Sequence, residues 1–409
     1  MARRSRPSLQ SRSTAGRSRR VADTPAEAQE RAKPGLVKTV VYSLLPALLL
    51  LALVEGGARV WLLFRPPIPV DVGQGFTGRI PLFVPDPTNF DYRITHPQKR
   101  VSFQTQRFLA QKPEGTLRIA ALGESSVNYL DYEFSVWPDR IQPQMPQYDD
   151  IEIINCGGLS YGSHRLTLVA QEVLAYEPDV LMIYMGHNEF EELEQLQLAN
   201  IKAATLQTTA EKLGIFVLMR DIQARRRIAG LEEAKEERML ADSVPDTSRA
   251  WGHEFTPAEV AERMDNFQRN LTNIIRMAKE QGVFVVIGTV PSNLIKPSLP
   301  GVDPQQWAEV EAMYARGAWD AGKKRAMEIL MHTIRHQSSD KENGIIRSVA
   351  AAEEVPLADV EQAVTDAEPN HVPGQTLFSD HCHLNPQGNR ILVDTYEPII
   401  VQHFSGAKP

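Results

Sequence analysis

The sequence predicts a parallel α/β domain with helices on both faces of its sheet, preceded by one transmembrane helix. Three observations carry this expectation. Apolar strand-like runs alternate with helical patterns from Thr116 onward, the order that builds a parallel sheet with crossover helices. Sixteen uncharged residues, TVVYSLLPALLLLALV, run from Thr39 to Val54. The chain of 409 residues, 42% hydrophobic and 23% charged, has the composition of a globular protein with a large core.

Residues 1–35 are rich in Arg, Ser, Ala and Pro and lack apolar periodicity, which predicts a disordered basic tail. Residues 1–38 carry ten Lys/Arg against three Asp/Glu, a balance of +7, so the overall −7 leaves −14 for residues 39–409. That balance argues against a nucleic-acid partner for the main domain. The apolar run alone falls short of the roughly 20 residues a spanning helix needs. Leu36 and Val37 before it, and Val60-Trp61-Leu62-Leu63-Phe64 after it, complete an expected signal anchor over residues 36–64. The long basic head and the lack of a small-residue cleavage pattern separate it from a cleaved signal peptide. Basic residues ahead of the span place the N-terminus in the cytoplasm and all that follows Arg65 outside it. The expectation is a single-pass protein of a bacterial cytoplasmic (inner) membrane with a periplasmic or extracytoplasmic domain.

Residues 65–115 are Pro-rich without long periodic segments and read as a stalk and an irregular lead-in packed on the main domain, which occupies 116–409. Strands are expected at Leu117–Leu122, Ile151–Asn155, Val180–Met185, Val283–Val290 and Pro356–Val360. Ser163 to Tyr176 has helical spacing. About ninety charged, helix-prone residues separate the third and fourth strands, far more than an ordinary crossover, so a helical insertion is expected over about 193–260. Asn385-Pro386 starts a last helix running to His403, with Asn as N-cap and Pro at its first position.

Four segments could carry chemistry. Gly123-Glu124-Ser125-Ser126 ends the first strand in a turn that leaves a hydroxyl at the carboxyl edge of the sheet, where open α/β sheets bind ligands. Asn155-Cys156-Gly157-Gly158-Leu159-Ser160-Tyr161-Gly162 follows the second strand, and its backbone amides could point into a site. Gly186-His187-Asn188-Glu189 follows the third, offering a side-chain amide to a developing oxyanion. Asp380 and His383, three apart in the loop before the last helix, can pair carboxylate with imidazole and leave Nε2 to take a proton from a hydroxyl. Taken singly, each has a plain structural reading as a helix cap or tight βα turn.

Together, in this order, the four segments resemble the blocks of the SGNH/GDSL hydrolase family: a GDS nucleophile turn, a Gly oxyanion loop, G-x-N-D and D-x-x-H. The resemblance covers residues 116 to about 404, the insertion excepted. It implies a flavodoxin-like three-layer α/β/α fold with a mostly parallel five-stranded sheet. It also implies Ser125 as nucleophile, His383 as general base, Asp380 as its orienter, and an oxyanion hole from the Ser125 amide, the Ser160 amide and the Asn188 side chain. Ser160 falls where the family usually has Gly, with Gly158 and Gly162 as alternative registers. Glu124 and Glu189 replace family aspartates, and no Gly follows Ser125 within four residues. No metal or cofactor is implied. Gly158-Leu159-Ser160-Tyr161-Gly162 also fits the G-x-S-x-G elbow, but Ser160 lies five residues past its strand and only one strand precedes that strand in the domain.

Two cysteines exclude a disulfide framework and a four-thiolate zinc site. Cys156 and Cys382 both fall in candidate loops, as one disulfide or as two buried thiols. The function expected is a membrane-anchored serine esterase acting on an O-acylated glycan or lipid of the cell envelope. The alternatives are an O-acyltransferase using the same serine, and a catalytically silent membrane-anchored binding or assembly protein.

Overall fold

The computed structural model describes residues 36–65, 67, 75–76, 78, 80–198, 210, 212–232, 255–299, 302–333 and 335–406. The expected tail 1–35 and residues 199–209, 211 and 233–254 of the expected insertion lie outside the described residues. The chain divides into two units, residues 1–57 and 58–409. The described part of the first belongs to the helix Leu36–Phe64, whose bounds match the expected anchor. Among the described residues, Leu44–Phe64 is the one stretch long and apolar enough to cross a membrane. Leu48, Leu50, Leu51 and Leu53 are all exposed there, a contiguous apolar surface that water disfavours.

The second unit is built on a five-stranded parallel sheet. β1 (Phe83–Asp86), β2 (Asn89–Thr95) and β3 (Arg107–Leu109) precede it. Its own strands are β4 (Thr116–Gly123), β5 (Asp150–Gly157), β6 (Val180–Tyr184), β7 (Phe284–Gly288) and β8 (Leu357–Ala358). The spatial order is β5-β4-β6-β7-β8 with every pair parallel. Every residue of β4 and β6 is buried, as expected for strands covered on both faces. Helices Ser163–Val173, Pro257–Glu280 and Asp340–Ala352 pack together in one layer; Asp131–Ile141, Val360–Ala367 and Pro386–Ser405 pack together in another. This is a doubly wound three-layer α/β/α arrangement with the flavodoxin-like strand order. The chain reverses its winding between β4 and β6, and their carboxyl ends open the crevice where such sheets bind ligands.

One charge lies inside the sheet. Arg118 of β4 is fully buried and forms three contacts: Nε with Glu152 Oε2 (2.6 Å), one terminal nitrogen with Tyr176 O (2.6 Å), the other with Leu109 O (2.8 Å). Spending every arm on an acceptor is what makes a buried guanidinium tolerable. The last contact also fastens the lead-in to the sheet.

The lead-in is not irregular throughout. β1, β2 and β3 form an antiparallel sheet in that order, and Glu172 accepts the amides of Leu82 (2.6 Å) and Phe83 (2.7 Å). β1 and β3 have only four and three residues, and β1 contains Pro85, so neither shows a readable pattern; β2, Asn89-Phe90-Asp91-Tyr92-Arg93-Ile94-Thr95, does alternate polar and apolar residues, a strand signal that the expectation of an irregular lead-in passed over. Between the fourth and fifth expected strands, a stretch for which the sequence analysis named no element, the structure has helices Pro304–Ala315, Trp319–His332 and Asp340–Ala352. The first two close a small core of their own with Leu294, Val310, Ala326, Leu330 and Val372.

Candidate active site

β4 must end in glycine. A Cβ on Gly123 would lie 2.2 Å from Tyr184 O and 2.3 Å from Val127 Cγ2, so the turn from strand to the short helix Ser125–Asn128 closes only without a side chain. That turn delivers Ser125 to the carboxyl edge. Its Oγ lies 2.7 Å from His383 Nε2, and His383 Nδ1 lies 2.6 Å from Asp380 Oδ2. The other Asp380 oxygen accepts the amides of Cys382 (2.9 Å) and His383 (2.8 Å). Burial pushes the Asp380 carboxyl up, but the hydrogen bonds from the His383 ring and these two amides outweigh it and hold the group well below the usual carboxylate range. An ionised Asp380 fixes the tautomer with the proton on Nδ1, leaving Nε2 to accept from Ser125.

Asn293, beyond the end of β7, steadies the loop from below. Its Nδ2 donates to Asp380 O (2.7 Å) and its amide to His381 O (3.1 Å). No motif marks Asn293 in the sequence. The Tyr129 ring stands edge-on to His383, centroids 4.9 Å apart, and is 47% exposed, forming an open wall beside the imidazole.

The second segment supplies amides. Gly158 N donates to Gly123 O, Leu159 N to Ser102 O, Tyr161 N to Gly158 O, Gly162 N to Glu192 and Ser163 N to Glu189. Ser160 N alone in that run has no acceptor among the described residues, and the same holds for Ser125 N. The register alternatives Gly158 and Gly162 are therefore spent on structure. Ser160 is left-handed at φ 59°, which explains why glycine suits the position. In the third segment, Asn188 Nδ2 donates to Tyr161 O (3.2 Å), which uses one of its two hydrogens and aligns the amide beside the second segment.

Glu124 and Glu189 hold these loops. Glu124 is fully buried; Oε2 accepts the amide of His187 (2.7 Å) and Oε1 that of Asn188 (3.0 Å). Burial, then the nearby Glu189 charge, pushes the Glu124 carboxyl well above its ordinary range. Glu189 accepts both the amide (2.8 Å) and the hydroxyl (2.9 Å) of Ser163, and burial pushes it up to about 7. Asn128 and Asn155 lock the Ser125 turn to β5: Asn128 Nδ2 donates to Gly157 O (2.8 Å), and Asn155 Nδ2 to Val127 O (3.0 Å).

Cys156 and Cys382 are both free and buried, which settles the pairing left open by the sequence. Burial pushes both thiols up. Asp380, Cys382 and His383 bring potential ligand atoms within 4.8 Å of one another, but two of the three already belong to the Ser125–His383–Asp380 chain.

No protein-family model matches the chain, and no curated protein matches it by sequence. The fold is similar to several solved structures. One is an acetyl xylan esterase, at 14% identity over 69% of this chain and 99% of that one, with a TM-score of 0.38. Another is a GDSL-like lipase from Bacteroides thetaiotaomicron, at 14% identity over 73% and 93%, TM-score 0.35. A third is an acetylxylan esterase from Geobacillus stearothermophilus, at 11% identity over 71% and 94%, TM-score 0.37.

Proposed function

We propose that this protein is a membrane-anchored serine esterase that hydrolyses an ester of the cell envelope through Ser125, His383 and Asp380. The observation that carries the reading is the unbroken chain Ser125 Oγ, His383 Nε2, His383 Nδ1, Asp380 Oδ2, with both links at hydrogen-bond length. His383 Nε2 takes the Ser125 proton as Oγ attacks the ester carbonyl. The tetrahedral oxyanion faces the Ser125 and Ser160 amides and the second Asn188 Nδ2 hydrogen. Losing one such donor costs on the order of 100-fold in rate. Collapse breaks the bond to the alcohol oxygen, which leaves with the proton from Nε2. Water then repeats the sequence at the acyl-serine, releasing the acid and restoring the serine.

Water access favours hydrolysis over transfer to another alcohol, since the Asp380 side chain is 45% exposed and His383 19%. The helix Leu36–Phe64 and the basic residues ahead of it support an inner-membrane anchor with a cytoplasmic N-terminus and the catalytic domain outside. An O-acylated glycan or lipid is the substrate class this location favours. The test is a fluorophosphonate probe followed by peptide mass mapping of the wild type, Ser125→Ala and His383→Ala. An adduct on Ser125 that is lost in both variants is expected. A folded, unlabelled wild type would favour the binding-protein reading, and an adduct on Ser160 would move the nucleophile.

A further inference from the structure

Behind the candidate oxyanion hole lies a buried cluster of four charges contributed by three helices. Glu189 and Glu192 come from the helix Glu189–Leu198, Arg165 from Ser163–Val173, and Arg263 from Pro257–Glu280, the helix that follows the expected insertion. All four side chains are at most 5% exposed. One Arg263 terminal nitrogen bridges both carboxylates, at 2.5 Å from Glu189 Oε2 and 2.8 Å from Glu192 Oε2. The two carboxylates between them take four successive amides at the start of the Ser163–Val173 helix: Gly162 (3.0 Å), Ser163 (2.8 Å), His164 (3.1 Å) and Arg165 (3.1 Å). Capping one helix start needs only one acceptor side chain, so this is far more than a cap. Asn270, on the same helix as Arg263, adds a bond to Ser163 Oγ (3.0 Å).

The cluster reaches the reacting region at two points. Arg165, held by Glu192 through Nε (3.1 Å), donates a terminal nitrogen to Ser160 O. Glu189 directly follows Asn188 in the chain. Both loops that present oxyanion donors therefore end in this cluster, and Arg263 is the group that holds its two like charges together.

We propose that Arg263 is a positioning residue for the oxyanion hole, setting the placement of the Ser160 amide and the Asn188 side chain through Glu189, Glu192 and Arg165. The assignment rests on the serine-esterase reading. Donors act on the oxyanion only when placed to a fraction of an ångström, and a shift of about 1 Å can cost on the order of 100-fold in rate. Because the cluster lies behind the donors rather than against the substrate, its loss lowers kcat and leaves KM in place.

The test compares full-length wild type with Arg263→Lys and with the charge-balanced pair Arg263→Gln/Glu189→Gln, in steady-state kinetics on p-nitrophenyl acetate and in the rate of fluorophosphonate labelling. The balanced pair leaves Arg165 with Glu192 and avoids an orphaned carboxylate. Arg263→Lys keeps the charge but its ammonium ends one atom short of the terminal nitrogen that bridges Glu189 and Glu192. In folded variants we expect kcat and labelling rate to fall together, by about 10- to 100-fold for the pair and several-fold for Arg263→Lys, with KM within about two-fold. Folded variants with kcat near wild type, or a loss confined to KM, would overturn the positioning role while leaving the esterase reading intact. A wild type that neither labels nor turns over would overturn both.

Discussion

Glu124 and Asn188, residues from opposite sides of the switch point between β4 and β6, are joined by a hydrogen bond of 3.0 Å from the Asn188 amide to Glu124 Oε1. The residue before the candidate nucleophile thus carries the loop of the candidate oxyanion donor. A second bond, from the His187 amide to Oε2, uses the other oxygen, so the carboxylate works as a double acceptor in a dry pocket. The two-carbon reach of the glutamate side chain brings both oxygens to the amides of the third segment.

Replacing Glu124 by Gln turns one oxygen into an NH2 that faces a backbone N–H. We expect a stability loss of about 1–3 kcal/mol, the cost of leaving a buried donor unpaired. A kcat loss on the order of 10-fold or more should accompany it as the Asn188 loop shifts. Urea unfolding and ester hydrolysis measured on the same preparation check both. Unchanged kcat in a destabilised Glu124→Gln protein would confine the residue to a folding role.

Ser160 offers a backbone amide, not a hydroxyl, so Ser160→Ala is expected to keep kcat within about two-fold. Ser160→Gly removes a side chain from a left-handed residue, and should raise stability by up to about 1 kcal/mol while preserving turnover. Loss of activity in both variants would return the nucleophile to the G-x-S-x-G alternative.

The candidate residues Ser125 and Asn188 were legible because each lies next to a strand that an apolar run marks, whereas Asp380 and His383 lie far from any strand and were legible only from their spacing before the last helix. Ser125 follows β4 by two residues, Asn188 follows β6 by four, and the apolar runs are long enough to place those strands within two residues. The amides of Gly158 and Gly162 both have acceptors within the fold, a fact that spacing could not supply. What holds the site was not legible. Arg263 meets Glu192 across 71 positions, Asn293 meets Asp380 across 87, and Ser338 meets His187 across 151. Nothing local in a helix or loop announces a contact made only when three layers pack. β1 and β3 escape for another reason, being four and three residues long, whereas the alternation of β2 was present in the sequence and went unused.

The cysteines give a direct chemical check. With both thiols buried and their ionisation pushed up, native protein should show almost no fast reaction with a disulfide reagent, and two thiols should appear in denaturant. Reducing agent is expected to leave ester hydrolysis unchanged. A native disulfide, seen as a shift in migration on reduction, would require Cys156 and Cys382 to move together and would change the geometry beside His383.

His187 makes the fold acid-sensitive in a defined window. The ring is 1% exposed; Nδ1 accepts the Ser338 amide (3.1 Å), which leaves the proton on Nε2, a nitrogen with no partner among the described residues. Burial, and then the charges of His383 and His381, lower its pKa to about 3. Unfolded, the same group titrates near 6.5. Above pH 6.5 it is neutral in both states and adds nothing to pH dependence. Between 6.5 and about 3 the unfolded chain takes a proton that the folded one refuses, so stability falls as pH falls, by up to about 1.4 kcal/mol per unit. His187→Asn keeps an acceptor near the Ser338 amide and removes the titration. Comparing urea unfolding at pH 7.5 and 4.5, wild type should lose up to about 2.7 kcal/mol more than His187→Asn over that step. Glu189, raised by burial from 4.5 to about 7, costs stability as pH rises between those two values, but it is present in both proteins and cancels from the difference. Parallel pH slopes for the two proteins would mean that His187 takes up its proton in the folded state and that Nε2 faces solvent rather than a closed pocket behind the triad.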